Sequence, residues 1–265
     1  MSEMFSYAFM VRALFAGVLI AVPAALVGVS LVLRRNAMIG DGLSHAAFGA
    51  FAVATVLGAA PLVVALPVAV VASFLIIRLS KNKKVYGDAA IAVLSASSLA
   101  VGILAISLAK GVNIDLNSYL FGSILSVGWE EVIFSLILAV VTVLLYLFLH
   151  NRIFAITFDE SFARSMGLKT GVYDAVFALI CSAVVVFGMR LLGALLISSL
   201  IIFPTLTAMK LAKTFRGVVI LAVIISVLVF LVGLVLSYLF ALPTGAAVVV
   251  MHLALLGVVS LIKMI

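Results

Sequence analysis

The chain has 265 residues, of which 67% are hydrophobic and only 9% charged, and its mean hydropathy is +1.49. Soluble domains are nearer half apolar and a quarter charged, so the composition excludes a soluble globular protein and predicts a helical, polytopic membrane protein. The net charge of +7 does not indicate nucleic-acid binding, because the basic residues lie at the ends of apolar segments rather than in one patch.

Apolar segments long enough to cross a hydrocarbon core of about 30 Å recur along the whole chain. We predict nine spans, within a range of eight to ten, at residues 8–33, 36–58, 61–79, 88–109, 130–149, 171–188, 191–210, 217–240 and 243–263. The first span is too long for the core of a cleavable signal peptide, so we expect it to be retained. No soluble domain or internal repeat interrupts the pattern, which predicts a single transmembrane domain over residues 1–265.

The distribution of Lys and Arg predicts the orientation in the membrane. With the N-terminus outside, 13 of the 16 basic residues fall on the cytoplasmic side, and the exceptions are Arg12, Lys110 and Arg190. We therefore expect an external N-terminus and a cytoplasmic C-terminus. The lone cysteine, Cys181, excludes an intramolecular disulfide and is expected to be a packing residue.

A carboxylate and an imidazole lie in the second span, in the sequence "GDGLSH" at residues 40–45. Residues four apart share a helix face, so Asp41 and His45 can present two metal-ligand types to one point. Ionisable groups inside a membrane usually face the bundle interior and mark a site. The row Gly42, Ala46, Ala50 and Ala54 would let a neighbouring helix pack closely beside them. The alternative is that Asp41 only caps the helix and His45 bonds a carbonyl.

Three further polar residues are candidates for a transport pathway. His252 lies about nine residues inside the last span, and Ser198 and Ser199 lie in the seventh. A buried core histidine and hydroxyls bonded to their own helix are the alternative interpretations.

Two connections carry predicted helices of their own. Residues 112–128 are too apolar for a free loop and too rich in Gly and Asn for a straightforward span, which predicts a re-entrant or interfacial segment. In the cytoplasmic connection, Thr157 and Glu160 form a capping-box pattern that predicts a short helix over 157–166, ended by Gly167. Its apolar stripe would lie on the bilayer interface or dock into a cytoplasmic protein. The residues of this predicted docking surface are Phe158, Asp159, Glu160, Phe162, Ala163, Met166 and Gly167.

The chain has no Gly-x-x-x-x-Gly-Lys-Ser/Thr phosphate loop and no Gly-Lys dipeptide. It is therefore not expected to be an ATPase or another enzyme, and any use of ATP must come from another polypeptide. This favours a protein partner for the helix at 157–166.

Four motifs, in order along the chain, resemble the permease subunits of bacterial zinc and manganese ABC transporters. They are "RRNAMIGDGLSHAAFGAFAV", "DLNSYLFGSILSV", "FDESFARSMGL" and "LLGALLISSLIIFPTLTAMKLA", and together they extend from Arg34 to about Lys213. The resemblance implies the many-helix bundle of cobalamin and siderophore importers, in the bacterial cytoplasmic membrane. It further implies a homodimer that binds two ATPase subunits inside and receives metal outside from a solute-binding protein.

The resemblance also implies that Asp41 and His45 coordinate the transported ion, zinc or manganese, with no intrinsic cofactor. The segment "DLNSYLFG" is closer to the zinc-type branch. Two other functions stay open: a siderophore or cobalamin permease of the same fold, and a stand-alone proton-coupled carrier that uses Asp41.

Overall fold

The computed structural model describes residues 6–80, 87–109, 119, 121–122 and 127–264, and every regular element in this part of the chain is a helix. Nine of the helices are long and apolar enough to span a bilayer, which confirms the predicted fold class. The helices are α1 Ala8–Leu33, α2 Met38–Val56, α3 Pro61–Ser80, α4 Gly87–Leu108, α5 Trp129–Phe158, α6 Glu160–Ser165, α7 Thr170–Leu192, α8 Ala194–Leu211, α9 Phe215–Phe240 and α10 Thr244–Met264.

The helix α1 lies at the centre of the bundle and packs against α5, α7, α8 and α9. Its residues from Pro23 to Leu31 are all buried. Gly28 faces the carbonyl oxygen of Ile201 so closely that a Cβ atom at position 28 would overlap it. A glycine there lets the backbones of α1 and α8 approach, which is how membrane helices gain packing energy.

Two ion pairs lie at opposite ends of α7 and join it to different neighbours. At its start, Asp174 accepts a bond of 3.2 Å from Arg34, which follows α1. At its end, Arg190 contacts Glu131 of α5, also at 3.2 Å. Arg34 and Arg190 thus lie at opposite ends of the bundle, as their predicted assignment to opposite membrane faces requires.

The fifth helix is longer than the span predicted at 130–149, because it continues to Phe158. Hydropathy detects only the apolar part of a helix that lies within the hydrocarbon core. The helix itself continues through the polar residues Asn151 and Arg152. A tilted contact between the Phe154 and Phe158 rings, with centroids 4.9 Å apart, stabilises the added turns.

The predicted capping box at Thr157 is wrong. Thr157 is buried inside α5, and Asp159 is the residue that caps α6, because its Oδ1 accepts the backbone N–H of Phe162 at 2.9 Å. The helix over 157–166 is therefore two elements, the last turn of α5 and the short α6. The predicted stop is correct, since Gly167 adopts φ 83° after the last turn.

Most of the predicted segment 112–128 lies outside the described residues. Tyr119 packs against Phe48 and Phe51 of α2, with ring centroids 5.9 Å away in both cases. Gly122 lies against the backbone of Leu192, in the α7–α8 junction. The described part of this segment thus contacts the membrane helices.

Candidate functional site

The turn between α1 and α2 fixes where the candidate site begins. After α1, the backbone N–H of Asn36 bonds the Leu31 carbonyl at 2.8 Å and that of Arg35 bonds the Val32 carbonyl at 3.0 Å. This is the Schellman pattern, and it requires Arg35 to adopt a left-handed φ of 59°. The tight reversal starts α2 at Met38, only five residues after α1 ends.

Asp41 and His45 lie on one regular face of α2, as predicted. The helix is continuous from Met38 to Val56, so Gly40 and Gly42 do not interrupt it. The Nε2 atom of His45 lies 3.7 Å from Oδ2 of Asp41. In the single chain the Asp41 side chain is 38% exposed and that of His45 25%. The pair is therefore anchored on the bundle and still accessible from one side.

The capping alternative for Asp41 does not hold, because the residue at the N-cap position of α2 is Ala37. The described contacts of the Asp41 carboxylate are His45 and the hydroxyl of Ser198, which donates to Oδ1 at 3.3 Å. Buried Nδ1 of His45 has no hydrogen-bond partner among the described residues, so the proposed bond to a helix carbonyl is also missing.

Close packing on the adjacent faces of α2 holds this pair in position. A Cβ atom at Gly42 would come within 2.7 Å of Ile91 on α4, and one at Gly40 within 2.9 Å of Ile201 on α8. The predicted small-residue row is buried throughout: Gly42, Ala46, Ala50 and Ala54. The face that carries the pair therefore has little freedom to rotate.

The structure brings one of the three other candidate residues to the pair. Ser198 bonds Asp41, whereas Ser199 is buried and donates to the Leu196 carbonyl of its own helix at 2.9 Å. His252 is fully buried and stacks on Phe203, with ring centroids 6.2 Å apart. No described residue bonds either of its ring nitrogens, and no described contact joins it to Asp41.

The geometry of the pair suits two ligands of one small metal ion. Zinc bonds of about 2.0–2.1 Å at a tetrahedral angle separate two donor atoms by about 3.4 Å, and Nε2 of His45 lies 3.7 Å from Oδ2 of Asp41. Within the described residues no third His, Cys, Asp or Glu joins the pair to complete a metal site. The described part of one chain thus offers two of the four ligands that a tetrahedral zinc ion takes.

The second candidate site is the surface around α6. Phe158, Phe162 and Met166 are strongly exposed, at 62%, 58% and 69%. They do not form one helix stripe, because Phe158 belongs to α5 and the other two follow the break at Asp159. Ala163, predicted beside them, is buried and anchors α6 on the bundle. Glu160 pairs with Arg164 on α6 at 2.8 Å.

Sequence reasoning missed the contact between Arg34 and Asp174. The Asp174 side chain is buried and that of Arg34 is 15% exposed, and the Arg34 guanidinium also lies 5.5 Å from the centre of the Phe177 ring. The only sequence signal was an aspartate close to the start of an apolar span, at the membrane end where Arg34 is predicted.

Comparison with known proteins relates almost the whole chain to one family. A family profile described as "ABC 3 transport family" matches residues 6–264. A relative from Treponema pallidum, described as a "Probable metal transport system membrane protein", is 33% identical, and the match covers 97% of each chain. The manganese import system permease protein ScaB of Streptococcus gordonii is 30% identical over 91% of this chain and 86% of its own. The high-affinity zinc uptake system membrane protein ZnuB of Haemophilus influenzae is 28% identical over 95% and 96%.

Solved structures share the fold. A chain of PsaBC from Streptococcus pneumoniae, solved in complex with Fab, superimposes with a TM-score of 0.86 at 26% identity and covers 97% of this chain and 93% of that one. A metal-chelate type ABC transporter in an inward-facing conformation matches with a TM-score of 0.75 at 17% identity, over 95% of this chain and 85% of the other. The second match bears on the fold alone.

Proposed function

Because this chain belongs to the ABC 3 transport family, we propose that it is the membrane subunit of an ATP-driven importer for a divalent transition metal ion. Zinc is the first substrate we propose and manganese the second. The chain is a multi-pass membrane protein without an ATPase site of its own, so ATP-hydrolysing subunits must drive transport. The names of its relatives include both metals.

The observation that carries this proposal is the convergence of Asp41 and His45 within 3.7 Å on a helix that crosses the membrane. A nitrogen and an oxygen donor at tetrahedral spacing suit zinc and also tolerate manganese. An ionisable side chain inside the membrane costs free energy unless it has a partner. A transported cation would be such a partner for both Asp41 and His45.

A second copy of the chain would complete the ligand set. Two chains related by a two-fold axis that passes near Asp41 would offer two carboxylates and two imidazoles to one ion. The partial exposure of both side chains in the single chain is consistent with such an arrangement. We propose a homodimer for this reason.

The surface around α6 is the proposed contact with the ATPase subunits. Its exposed apolar residues, Phe158 and Phe162, need a partner if they extend into water beyond the membrane. A cavity of about 240 Å³ is lined both by Thr157 and Glu160, at the α5–α6 junction, and by Asn36 and Ile39, at the start of α2. Movement of α6 would thus be transmitted to α2, the helix that carries Asp41 and His45.

These contacts support a sequence of transport steps. A solute-binding protein delivers the ion to the external face, where the ligands of the two α2 helices capture it. ATP binding moves α6, and α2 shifts so that the site opens to the cytoplasm. Protonation of His45 would weaken the inward-open site and aid release. The N-terminus is external and the C-terminus cytoplasmic in this proposal.

The test is uptake of radioactive zinc and manganese by the complete complex in proteoliposomes, with each metal competing against the other. We expect Asp41→Ala and His45→Ala to lower uptake by more than about tenfold, because losing even a group that only orients a metal ligand costs about that much, while the complex still assembles. Asp88→Asn, an exposed carboxylate at the start of α4, is the matched control and should keep wild-type uptake.

Wild-type uptake in both ligand variants would overturn the proposal. A siderophore or cobalamin permease would leave the purified protein free of zinc and would not need the pair. A proton-coupled carrier would keep transporting after removal of the ATPase subunits, whereas the proposed importer would stop.

A further inference from the structure

An apolar groove runs along the outside of the bundle between α1, α5 and α9, away from Asp41 and His45. It encloses about 650 Å³, and its walls include Val22 and Leu26 of α1, Leu147 of α5, and Val219, Val223 and Ile224 of α9. From residue 216 to residue 224 the groove follows α9 for about 12 Å. This is most of the hydrocarbon depth of one leaflet, about 15 Å.

One end of this groove is basic. It is closed by His150, Asn151 and Arg216, and Nε of Arg216 donates to Nε2 of His150 at 3.3 Å. The neighbouring Phe215 packs against the His150 ring, with centroids 5.3 Å apart. The arginine is thus held at the mouth of the groove by a neutral partner.

No carboxylate of the described residues forms an ion pair with Arg216. Three other arginines of the described chain do have such partners: Arg34 pairs with Asp174, Arg164 with Glu160, and Arg190 with Glu131. The positive charge of Arg216 is therefore uncompensated in the described part of the chain, at the end of a groove that is otherwise apolar.

We propose that this groove binds a membrane phospholipid with an anionic headgroup. An acyl chain lies between α5 and α9, and the phosphate accepts bonds from the Arg216 guanidinium and the Asn151 side chain. A free phosphate ion would leave the apolar walls unused. A zwitterionic headgroup carries its own cation, which competes with Arg216, so the net charge favours an anionic lipid.

The position of the groove connects this lipid to the moving part of the molecule. His150 lies two helical turns before Phe158, where α5 ends and α6 follows. Phe215, next to the proposed phosphate ligand, also packs against Phe154 and Phe158. A bound lipid would therefore stabilise the aromatic residues on which the surface around α6 rests, Phe154 and Phe158. This binding does not depend on which ion, if any, the chain transports.

The test uses the complete complex, reconstituted in nanodiscs with equal amounts of phosphatidylglycerol and phosphatidylcholine of matched acyl chains. After gentle extraction, mass spectrometry measures how much of each lipid is retained per complex. We expect the wild type to retain phosphatidylglycerol preferentially. Arg216→Gln should lower that preference by about fivefold, the factor that one arginine near an anionic lipid supplies.

Lys213→Gln is the matched control, because Lys213 is an exposed cation three residues away that does not line the groove, and it should keep the preference. Val223→Trp fills the apolar part and should lower retention of both lipids. Equal preference in the wild type and Arg216→Gln, or an equal loss in Lys213→Gln, would overturn the proposal. So would an efficient disulfide between two chains carrying Leu147→Cys, because it would show that a second copy covers the groove.

Discussion

One oxygen of the Asp41 carboxylate faces His45 and the other faces Ser198. The orientation of this carboxylate therefore depends on residues of two helices, α2 and α8. Oδ1 accepts the Ser198 hydroxyl at 3.3 Å, which leaves Oδ2 on the side of the imidazole. A hydrogen bond to a metal ligand orients it and raises metal affinity. Ser198 is therefore expected to act on the ion through Asp41, without touching it.

We predict that Ser198→Ala weakens zinc binding by about tenfold, the lower end of the range for groups that orient a ligand. The measurement is calorimetric titration of the assembled complex with zinc. Ser199→Ala is the matched control, since the Ser199 hydroxyl bonds a carbonyl of its own helix. Equal affinities in the two variants would show that Ser198 does not orient the carboxylate.

The residues of the site differ in how far the sequence could predict them. Asp41 and His45 were predictable, because helical spacing alone puts them on one face. The contact with Ser198, 157 positions away, was not, since it depends on how α2 and α8 are rotated against each other. The same limit applies to Asp174, whose partner Arg34 lies 140 positions earlier.

Among the helices, the spans were predictable from hydropathy and the helix ends were not. The nine predicted spans correspond to nine apolar helices of the described chain. Hydropathy reports the depth of the membrane, so it could not show that α5 continues nine residues beyond the predicted end at residue 149. The cap at Asp159 was missed because Thr157 and Glu160 gave a competing capping pattern three residues apart.

The reversal between α1 and α2 has a conformational cost that can be measured. Arg35 has φ 59°, and a side chain in this left-handed region costs about 1 kcal/mol. We predict that Arg35→Gly is more stable than Arg35→Ala by about that amount, because both remove the charge and only glycine relieves the strain. The measurement is the thermal unfolding midpoint of the purified complex. A lower midpoint for Arg35→Gly than for Arg35→Ala would contradict this account of the turn.

In the whole molecule, the ligand pair and the proposed ATPase contact lie on elements that share one cavity. Asn36 and Ile39 precede Asp41 by five and two residues, and they face the α5–α6 junction across this cavity. The tight turn after α1 and the close packing of Gly40 and Gly42 make α2 a stiff element. A shift at its first turn would therefore be carried to Asp41 with little loss, since rigid helices are among the elements that transmit coupling between sites.

The number of ions bound by the assembly tests whether the site belongs to one chain or to two. A described single chain supplies Asp41 and His45 with no third ligand of the usual types beside them, whereas tetrahedral zinc takes four. We predict one zinc ion for every two chains. X-ray absorption should show only nitrogen and oxygen ligands at about 2.0–2.2 Å.

Mixed complexes separate this arrangement from two independent sites. A complex with one wild-type chain and one His45→Ala chain keeps three of the four ligands. It should bind a single ion more weakly than the wild type does, because the lost imidazole served the shared site. If each chain held its own ion, the wild type would bind two ions for every two chains, and the mixed complex would keep one at undiminished affinity. That result would exclude a shared site, since the intact chain would then need no ligand from its partner.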